Sequence, residues 1–250
     1  MSAARGHRGT PALQALIERA PATGALGLWM AHVDVDRDGA RVPVTTDGTT
    51  LYYAAAFDQL SLDAQMGWVA HAVLHVAFRH VARREALRAA LGDVDDTLYN
   101  VCADALVNST LSHLDWLQLP GGAVRAEQLV ERALGEPITV DQVLLRYDVE
   151  SLYRAVDDRR ANSSEARAAR DGGGDDDRGG GSRRRSATRQ KNERAAHRGA
   201  SGGRRDGPRS ATARSMARTG QADLLPGDDP SAPEDAEALT RTWRERLVRG

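Results

Sequence analysis

The most informative part of the sequence is residues 69–80, which read VAHAVLHVAFRH. They lie within a longer stretch, residues 62–90, that contains no proline and a single glycine, Gly67. Most of this stretch is apolar on nearly every side, which is typical of a helix buried all round. Ser61 is placed to cap the helix and Gly92 to end it. We therefore predict one long buried helix over residues 62–90.

Two histidines, His71 and His75, lie four residues apart on this helix. Residues at this spacing are separated by roughly 40° around the axis and about 6 Å along it, so both imidazoles leave one face and can hold one ion. The spacing is that of the HExxH zinc motif, but Ala72 stands where that motif has its glutamate base. Alternatively, the pair is satisfied by backbone carbonyls or nearby side chains. An unpartnered imidazole is costly to bury, which favours the metal site.

Asp104 is the predicted third ligand. It lies in the middle of a second predicted helix, residues 95–113, among apolar neighbours. A buried carboxylate needs a partner, and a metal ion is one such partner. The alternative is a buried acid bonded to a helix cap or to His71. We therefore predict a metal site formed by His71, His75 and Asp104, with zinc as the metal.

His80 and His113 are weaker candidate ligands than Asp104. His80 follows His75 by five residues, which on a continuous helix turns it about 140° away. No glycine near Arg79 is present to break the helix, so we expect His80 at the surface or behind a ligand. His113, at the end of its helix, is a weaker candidate than Asp104.

The remaining elements predict an α+β fold. Thr46-Asp47-Gly48 separates two β-rich runs, 41–45 and 49–53, which is a good hairpin signal. Together with a strand over 26–35 they predict a small antiparallel sheet packed on the histidine helix. Further helices are expected over 11–20, 125–134, 139–146 and 148–157.

The composition changes near residue 159. Residues 183–218 carry 11 arginines, one lysine and only two acids, and almost no apolar residues besides alanine. Such a segment cannot bury enough surface to offset its ordering entropy. We predict a folded domain over 10–158, a disordered Gly/Arg/Asp-rich linker over 159–232, and a short amphipathic helix over 233–250.

The order of these motifs resembles the bacterial metallopeptidase domain family that lies N-terminal to von Willebrand factor A-like domains. The resemblance runs from about Val42 to Val156. It rests on these stretches: Val42–Gly48, Leu51–Tyr53, Val69–His80, Tyr99–Asn108, Leu117–Pro120 and Val149–Tyr153. It implies a zincin-like fold, a zinc ion held by the histidine helix, and a MoxR-type AAA ATPase as a protein partner. The chain departs from the family at Ala72, and it has no Asp-x-Ser-x-Ser run of the kind that a metal-binding von Willebrand A domain uses.

Three functions are compatible with the sequence. The favoured one is a metallopeptidase-like domain with impaired hydrolysis, because Ala72 cannot act as a base, serving as a metal-binding or protein-interaction module. The second is an active zinc peptidase that holds an extended peptide along the edge strand within 41–53. The third is binding of nucleic acid or another anionic polymer through residues 183–218, which is less favoured because that stretch has no aromatic residues for base stacking.

Composition predicts the compartment. Cys102 is the single cysteine, so no internal disulfide can form, and a reducing compartment is expected. No apolar run approaches the roughly 20 residues that span a bilayer. The first ten residues are polar and lack the apolar core of a signal peptide. We therefore predict a cytoplasmic protein without membrane segments.

Overall fold

The small sheet is mixed, with three strands in the order β1-β3-β2. The structure is a computed structural model, and it describes residues 6–35, 42–159, 207–217 and 223–225. Strands β2 (Val44–Thr46) and β3 (Thr50–Ala54) form the predicted antiparallel hairpin. Gly48 takes the turn with φ at 98°, a left-handed conformation that suits glycine.

Strand β1 (Ala31–Val35) runs parallel to β3, so the prediction of an antiparallel sheet over 26–53 was wrong for this strand. Its predicted first half is not a strand, because Pro21 starts a short helix that continues to Gly27. The eight residues between Val35 and Val44 also exceed a two-residue hairpin turn. The chain can therefore leave β1 at one edge of β3 and enter β2 at the other edge.

Nine α-helices are found in the described residues, together with a 3₁₀ helix at Ala55–Gln59. They are α1 (Thr10–Arg19), α2 (Pro21–Gly27), α3 (Leu62–Ala77), α4 (His80–Leu91), α5 (Asp96–Leu111), α6 (Ala126–Leu134), α7 (Val140–Arg146), α8 (Val149–Val156) and α9 (Pro208–Met216). The predicted helices between residues 95 and 157 are confirmed. None of the helices in the described ranges is both long and apolar enough to cross a membrane.

Helices α3 and α5 lie at the centre of the fold. Helix α3 contacts α1, α2, β2 and α5, and α5 also contacts α6, α7, α8 and α9. At Gly67 a β-carbon would come within 1.8 Å of the carbonyl oxygen of Gln118, so α3 packs directly against the backbone there. The metal-site candidates therefore lie on two helices that pack on each other and that contribute residues to the two apolar clusters of the protein.

The predicted long helix is two helices, because the chain breaks at Arg79. Arg79 adopts φ 58° and ψ 37°, the left-handed conformation in which helices commonly end. The break occurs without glycine, contrary to our expectation, because a non-glycine residue can adopt the left-handed conformation at a cost of about 1–2 kcal/mol. As a consequence, His80 starts a new helix and does not follow the direction that a continuous helix would give it.

Replacing Arg79 with glycine is expected to stabilise the protein. The left-handed conformation costs a non-glycine residue about 1–2 kcal/mol of folding free energy, and glycine avoids this cost. Glycine is also freer in the unfolded chain, which offsets about 0.5–1 kcal/mol of the stabilisation. We expect the free energy of unfolding in urea to rise by about 0.5–1 kcal/mol. The matched control is Ala89→Gly, at an exposed position inside α4, which should lower it by about 1 kcal/mol. Equal effects of the two variants would contradict this explanation of the break.

Besides the buried Arg159, which directly follows the predicted domain, the structure differs from the predicted disorder over 159–232 in two places. Residues 207–217 contain α9, whose first backbone amides, at Gly207, Arg209 and Ser210, donate to the carboxylate of Asp158. Helix α9 also buries Ala213 in the apolar cluster of α5, α6 and α8. These contacts give α9 hydrogen-bond and packing partners that composition alone does not reveal. The rest of the predicted linker, and the predicted helix over 233–250, lie outside the described residues.

Part of the arginine-rich stretch is also described. Arg214 pairs with Asp95, and Arg209 donates from its guanidinium to the carbonyl oxygen of Ala155. Both arginines therefore contact the domain predicted over 10–158. The other nine arginines of 183–218 lie outside the described residues.

Residues 223–225 are the second ordered segment within the predicted linker. The backbone amide of Thr46 donates to the carbonyl oxygen of Asp223 at 2.8 Å, and the backbone amide of Leu225 donates to the carbonyl oxygen of Thr46 at 2.8 Å. Leu224 thus extends the sheet next to β2 in the parallel direction. This pairing brings Asp223 beside the histidine helix.

Candidate metal centre

Four side chains converge on one point in the interior. They are His71, His75, Asp104 and Asp223, and their four ligand atoms lie within 4.8 Å of one another. The Nε2 atoms of His71 and His75 are 2.9 Å apart. Asp223 Oδ2 lies 2.8 Å from His71 Nε2, and Asp104 Oδ1 lies 3.3 Å from His75 Nε2. Four ligands around one tetrahedral zinc ion would be about 3.3 Å apart, so the spacing suits a single metal ion.

Three features of the fold position these four side chains. His71 and His75 are one turn apart on α3 and are both buried. Helix α5 packs on α3 and presents Asp104, the only partly exposed member of the group, with 20% of its side chain accessible. Asp223 reaches the histidines because its backbone is paired with Thr46. The predicted three residues are therefore brought together, and a fourth that we did not predict joins them.

A hydrogen-bond chain behind His71 fixes its tautomer. Asn108 donates through Nδ2 to the carbonyl oxygen of Val124 at 2.9 Å, so its Oδ1 must face His71. His71 Nδ1 lies 3.0 Å from that oxygen and must therefore donate its proton to it. A neutral His71 consequently turns the lone pair of Nε2 towards the cluster. Metal-binding histidines are oriented by outer hydrogen bonds in the same way.

His80 supports His75 from behind. The Nδ1 atoms of the two rings are 2.9 Å apart, and both side chains are buried. Burial and the neighbouring His75 hold the pKa of His80 well below its usual range, so His80 is neutral. A surface position for His80 was therefore wrong, and the alternative, a place behind a ligand, is what the break at Arg79 produces. His113 is exposed and lies outside the cluster.

The cluster requires positive charge. Asp104 Oδ1 is buried and has no hydrogen-bond partner among the described residues, although it faces the histidine nitrogens. Burial alone would lower the pKa of His71, but Asp104 and Asp223 outweigh it and raise that pKa to about 9. The carboxylates of Asp104 and Asp223 thus draw a cation to this point, either a proton on His71 or a metal ion. Imidazole nitrogens and carboxylate oxygens together are a typical ligand set for a divalent transition metal, so the residues fit a metal.

The whole chain was compared with known proteins. The family model described as "Putative metallopeptidase domain" matches residues 4–250. The chain belongs to this family. No curated protein and no solved structure gives a significant match. Membership and the cluster together show a metallopeptidase-family domain with a site that can hold a metal ion.

The position of the HExxH glutamate is occupied by Ala72, which is buried at 3% exposure in the apolar cluster of α1, α3 and the sheet. Within α3, the residues between His71 and His75 are therefore all apolar. No side chain of this segment can accept a proton. The two histidines have the spacing of the HExxH motif, and Ala72 stands where that motif has glutamate.

Replacing Asn108 with alanine is expected to weaken metal binding without removing a ligand. His71 would lose the acceptor that fixes its tautomer, and changes of this kind typically lower metal affinity by about 10- to 100-fold. The affinity can be measured by competition with a chromogenic zinc chelator. Thr110→Ala, on the same helix, is the control, because the Thr110 hydroxyl bonds only to the Leu106 carbonyl among the contacts described and should leave affinity unchanged. Equal affinities of wild type and Asn108→Ala would contradict the assigned role.

Proposed function

We propose that this protein is a zinc-binding member of the metallopeptidase family in which peptide hydrolysis is impaired. The observation that carries the proposal is the convergence of His71, His75, Asp104 and Asp223 within 4.8 Å. Zinc is the metal that best suits two imidazoles and two carboxylates in a four-ligand site. The helix–sheet arrangement around the histidines supports a zincin-like fold as part of the same proposal.

The number of protein ligands argues for a binding role. Catalytic zinc sites usually have three protein ligands and keep the fourth position open, whereas structural sites are closed by four. Here Asp223 supplies a fourth ligand, a second carboxylate that lies 2.8 Å from His71 and is buried at 7% exposure. A substrate carbonyl would have to compete with Asp223 for this position.

The missing base argues in the same direction. When bound, zinc supplies Lewis acidity to a carbonyl and makes water easier to deprotonate. A nearby side chain must still accept the proton, and Ala72 cannot do so. Loss of a positioned general base typically lowers the rate by about 10²- to 10⁴-fold. His71 and His75 retain their orienting partners, Asn108 and His80, so metal binding does not depend on the lost glutamate.

The test uses the full chain. Purified protein is loaded with zinc, its metal content is measured by elemental analysis, and cleavage of a broad peptide library is followed with and without a chelator. We expect about one zinc per chain and no chelator-sensitive cleavage. Chelator-sensitive cleavage would overturn impaired hydrolysis and establish an active zinc peptidase. Absence of bound zinc would overturn the metal site itself.

A further inference from the structure

Residues Asp223–Leu225 are held at the edge of the sheet mainly through their backbone. The amide and carbonyl of Thr46 form two hydrogen bonds of 2.8 Å with the backbone of Asp223 and Leu225. Backbone pairing of this kind does not depend on side-chain identity, and it is the means by which extended peptides add to a sheet edge. We predicted that a peptide would bind along an edge strand within 41–53, and β2 is an edge strand in that range.

A buried arginine also forms hydrogen bonds to the backbone of this segment. Arg84, on α4, is only 5% exposed. Its Nη2 donates to the carbonyl oxygen of Leu225 at 2.9 Å, and its Nη1 lies 3.5 Å from that of Leu224. A buried guanidinium is costly unless its donors are bonded, and the ion pairs with Glu85 and Asp96 leave these two donors to the segment. The carbonyl groups of Leu224 and Leu225 therefore help to stabilise the buried guanidinium of Arg84.

The side chains of the segment add selectivity to these backbone hydrogen bonds. Leu224 is 3% exposed and packs in the apolar cluster that contains Val81. The carboxylate of Asp223 points the other way, to His71. The side chain of Leu224 is thus bound by apolar neighbours, and the side chain of Asp223 is bound by the metal-site histidines. These are the two elements of specificity that a peptide site needs, namely a pocket and a polar anchor.

We propose that the groove between β2 and α4, lined by Thr46, Val81 and Arg84, is a peptide-binding site that the chain fills with its own residues Asp223–Leu225. Its ligand class is an extended peptide in which aspartate is followed by leucine. The proposal goes beyond the zinc site, because the contacts of Leu224 and Leu225 lie outside the metal cluster. It rests on the proposed function only for the carboxylate of Asp223.

The experiment offers the segment in trans to the full chain. The probe is a fluorescein-labelled peptide with the sequence of residues 221–226, QADLLP, and its binding is measured by fluorescence anisotropy. In wild type the tethered segment is present at an effective concentration of about 1 mM, so micromolar probe should not bind. In the variant Asp223→Ala/Leu224→Ser, whose own segment is weakened, the probe should bind at least 10-fold more tightly than to wild type. No gain over wild type, in a variant with unchanged circular dichroism, would overturn the proposal.

Altered probes separate this proposal from the zinc site. The peptide QADSLP lacks the leucine for the pocket and QAALLP lacks the aspartate, and each should bind the variant at least 10-fold more weakly than QADLLP. If the zinc proposal fails but the groove exists, a chelator will leave the binding of QADLLP unchanged while QADSLP still binds weakly. If the groove proposal fails, all three probes will bind equally or not at all, whatever the zinc content.

A second form of the experiment leaves the segment itself unaltered. A site-specific protease sequence is inserted after Ala217, the chain is folded and cut, and the C-terminal piece is challenged with excess QADLLP. Release of that piece in exchange for probe is the expected result. Retention of the piece against millimolar probe, with no probe bound, would show that residues 223–225 are a permanent strand and would overturn the proposal.

Discussion

Replacing His71 with alanine is expected to reduce zinc affinity at least about 100-fold. A four-ligand structural zinc site contributes about 10–16 kcal/mol of binding free energy, so one ligand accounts for about 3 kcal/mol, or roughly two orders of magnitude in Kd. His71 is also the residue that contacts most of the cluster, since His75 and Asp223 both lie within 3 Å of its Nε2. The affinity can be measured by chelator competition on the full chain.

His113→Ala is the matched control for this prediction. His113 lies just after α5 and is exposed, with its Nε2 3.2 Å from Asp141 and outside the cluster. We expect its zinc affinity to equal that of wild type. Equal affinities of all three proteins would show that the bound zinc is held elsewhere.

Restoring hydrolysis should require two substitutions together. Ala72→Glu supplies the base of the HExxH motif, but in the structure Asp223 still fills the fourth position around the cluster. Asp223→Ala vacates that position but leaves no base. We therefore expect the double variant Ala72→Glu/Asp223→Ala to show chelator-sensitive peptide cleavage with kcat/KM about 10²- to 10⁴-fold above that of either single variant.

The control for the double variant keeps the size of the new side chain but removes its basicity. Ala72→Gln/Asp223→Ala introduces an amide of nearly the same volume into the same buried position, so any cost in packing is shared. It should bind zinc like the glutamate variant and show no chelator-sensitive cleavage. Equal cleavage by the two double variants, or none by the glutamate variant despite bound zinc, would contradict the assignment of Ala72 as the lost base.

Sequence reasoning identified three of the four clustered residues, and local physics explains why. The i, i+4 spacing of His71 and His75 is a property of one helix, and Asp104 stood out as an acid among apolar neighbours. Asp223 depends on a pairing with β2 that spans more than 170 residues, which no local pattern reports. A weak signal was present, because Met216, Leu224 and Leu225 are the only large apolar residues between 161 and 232.

The break at Arg79 was missed for a different reason. Left-handed residues at helix ends are usually glycine, so its absence from residues 76–80 favoured a continuous helix. An arginine can take the conformation at a modest energetic cost, and here it brings His80 behind His75. Periodicity within a helix is readable from the sequence, whereas a single left-handed residue between two helices, here Arg79, is not.

Other expectations stay predictions. The MoxR-type ATPase partner, the association with a von Willebrand A-like domain, the cytoplasmic location and the bacterial origin concern matters outside this domain's structure. The amphipathic helix over 233–250 lies outside the described residues. The domain boundary near 158 also stays a prediction, although α9 and residues 223–225 pack against the preceding helices and strands.

The most direct test of the closed zinc site is X-ray absorption at the zinc edge, on the loaded full chain and on Asp223→Ala. The scattering from imidazole rings counts the histidine ligands, and the first shell gives the total coordination and the ligand distances. We expect two histidines and four ligands at about 2.0–2.2 Å in wild type, with a changed oxygen shell in the variant. Identical spectra for the two proteins, or fewer than two histidines in wild type, would contradict the four-residue site.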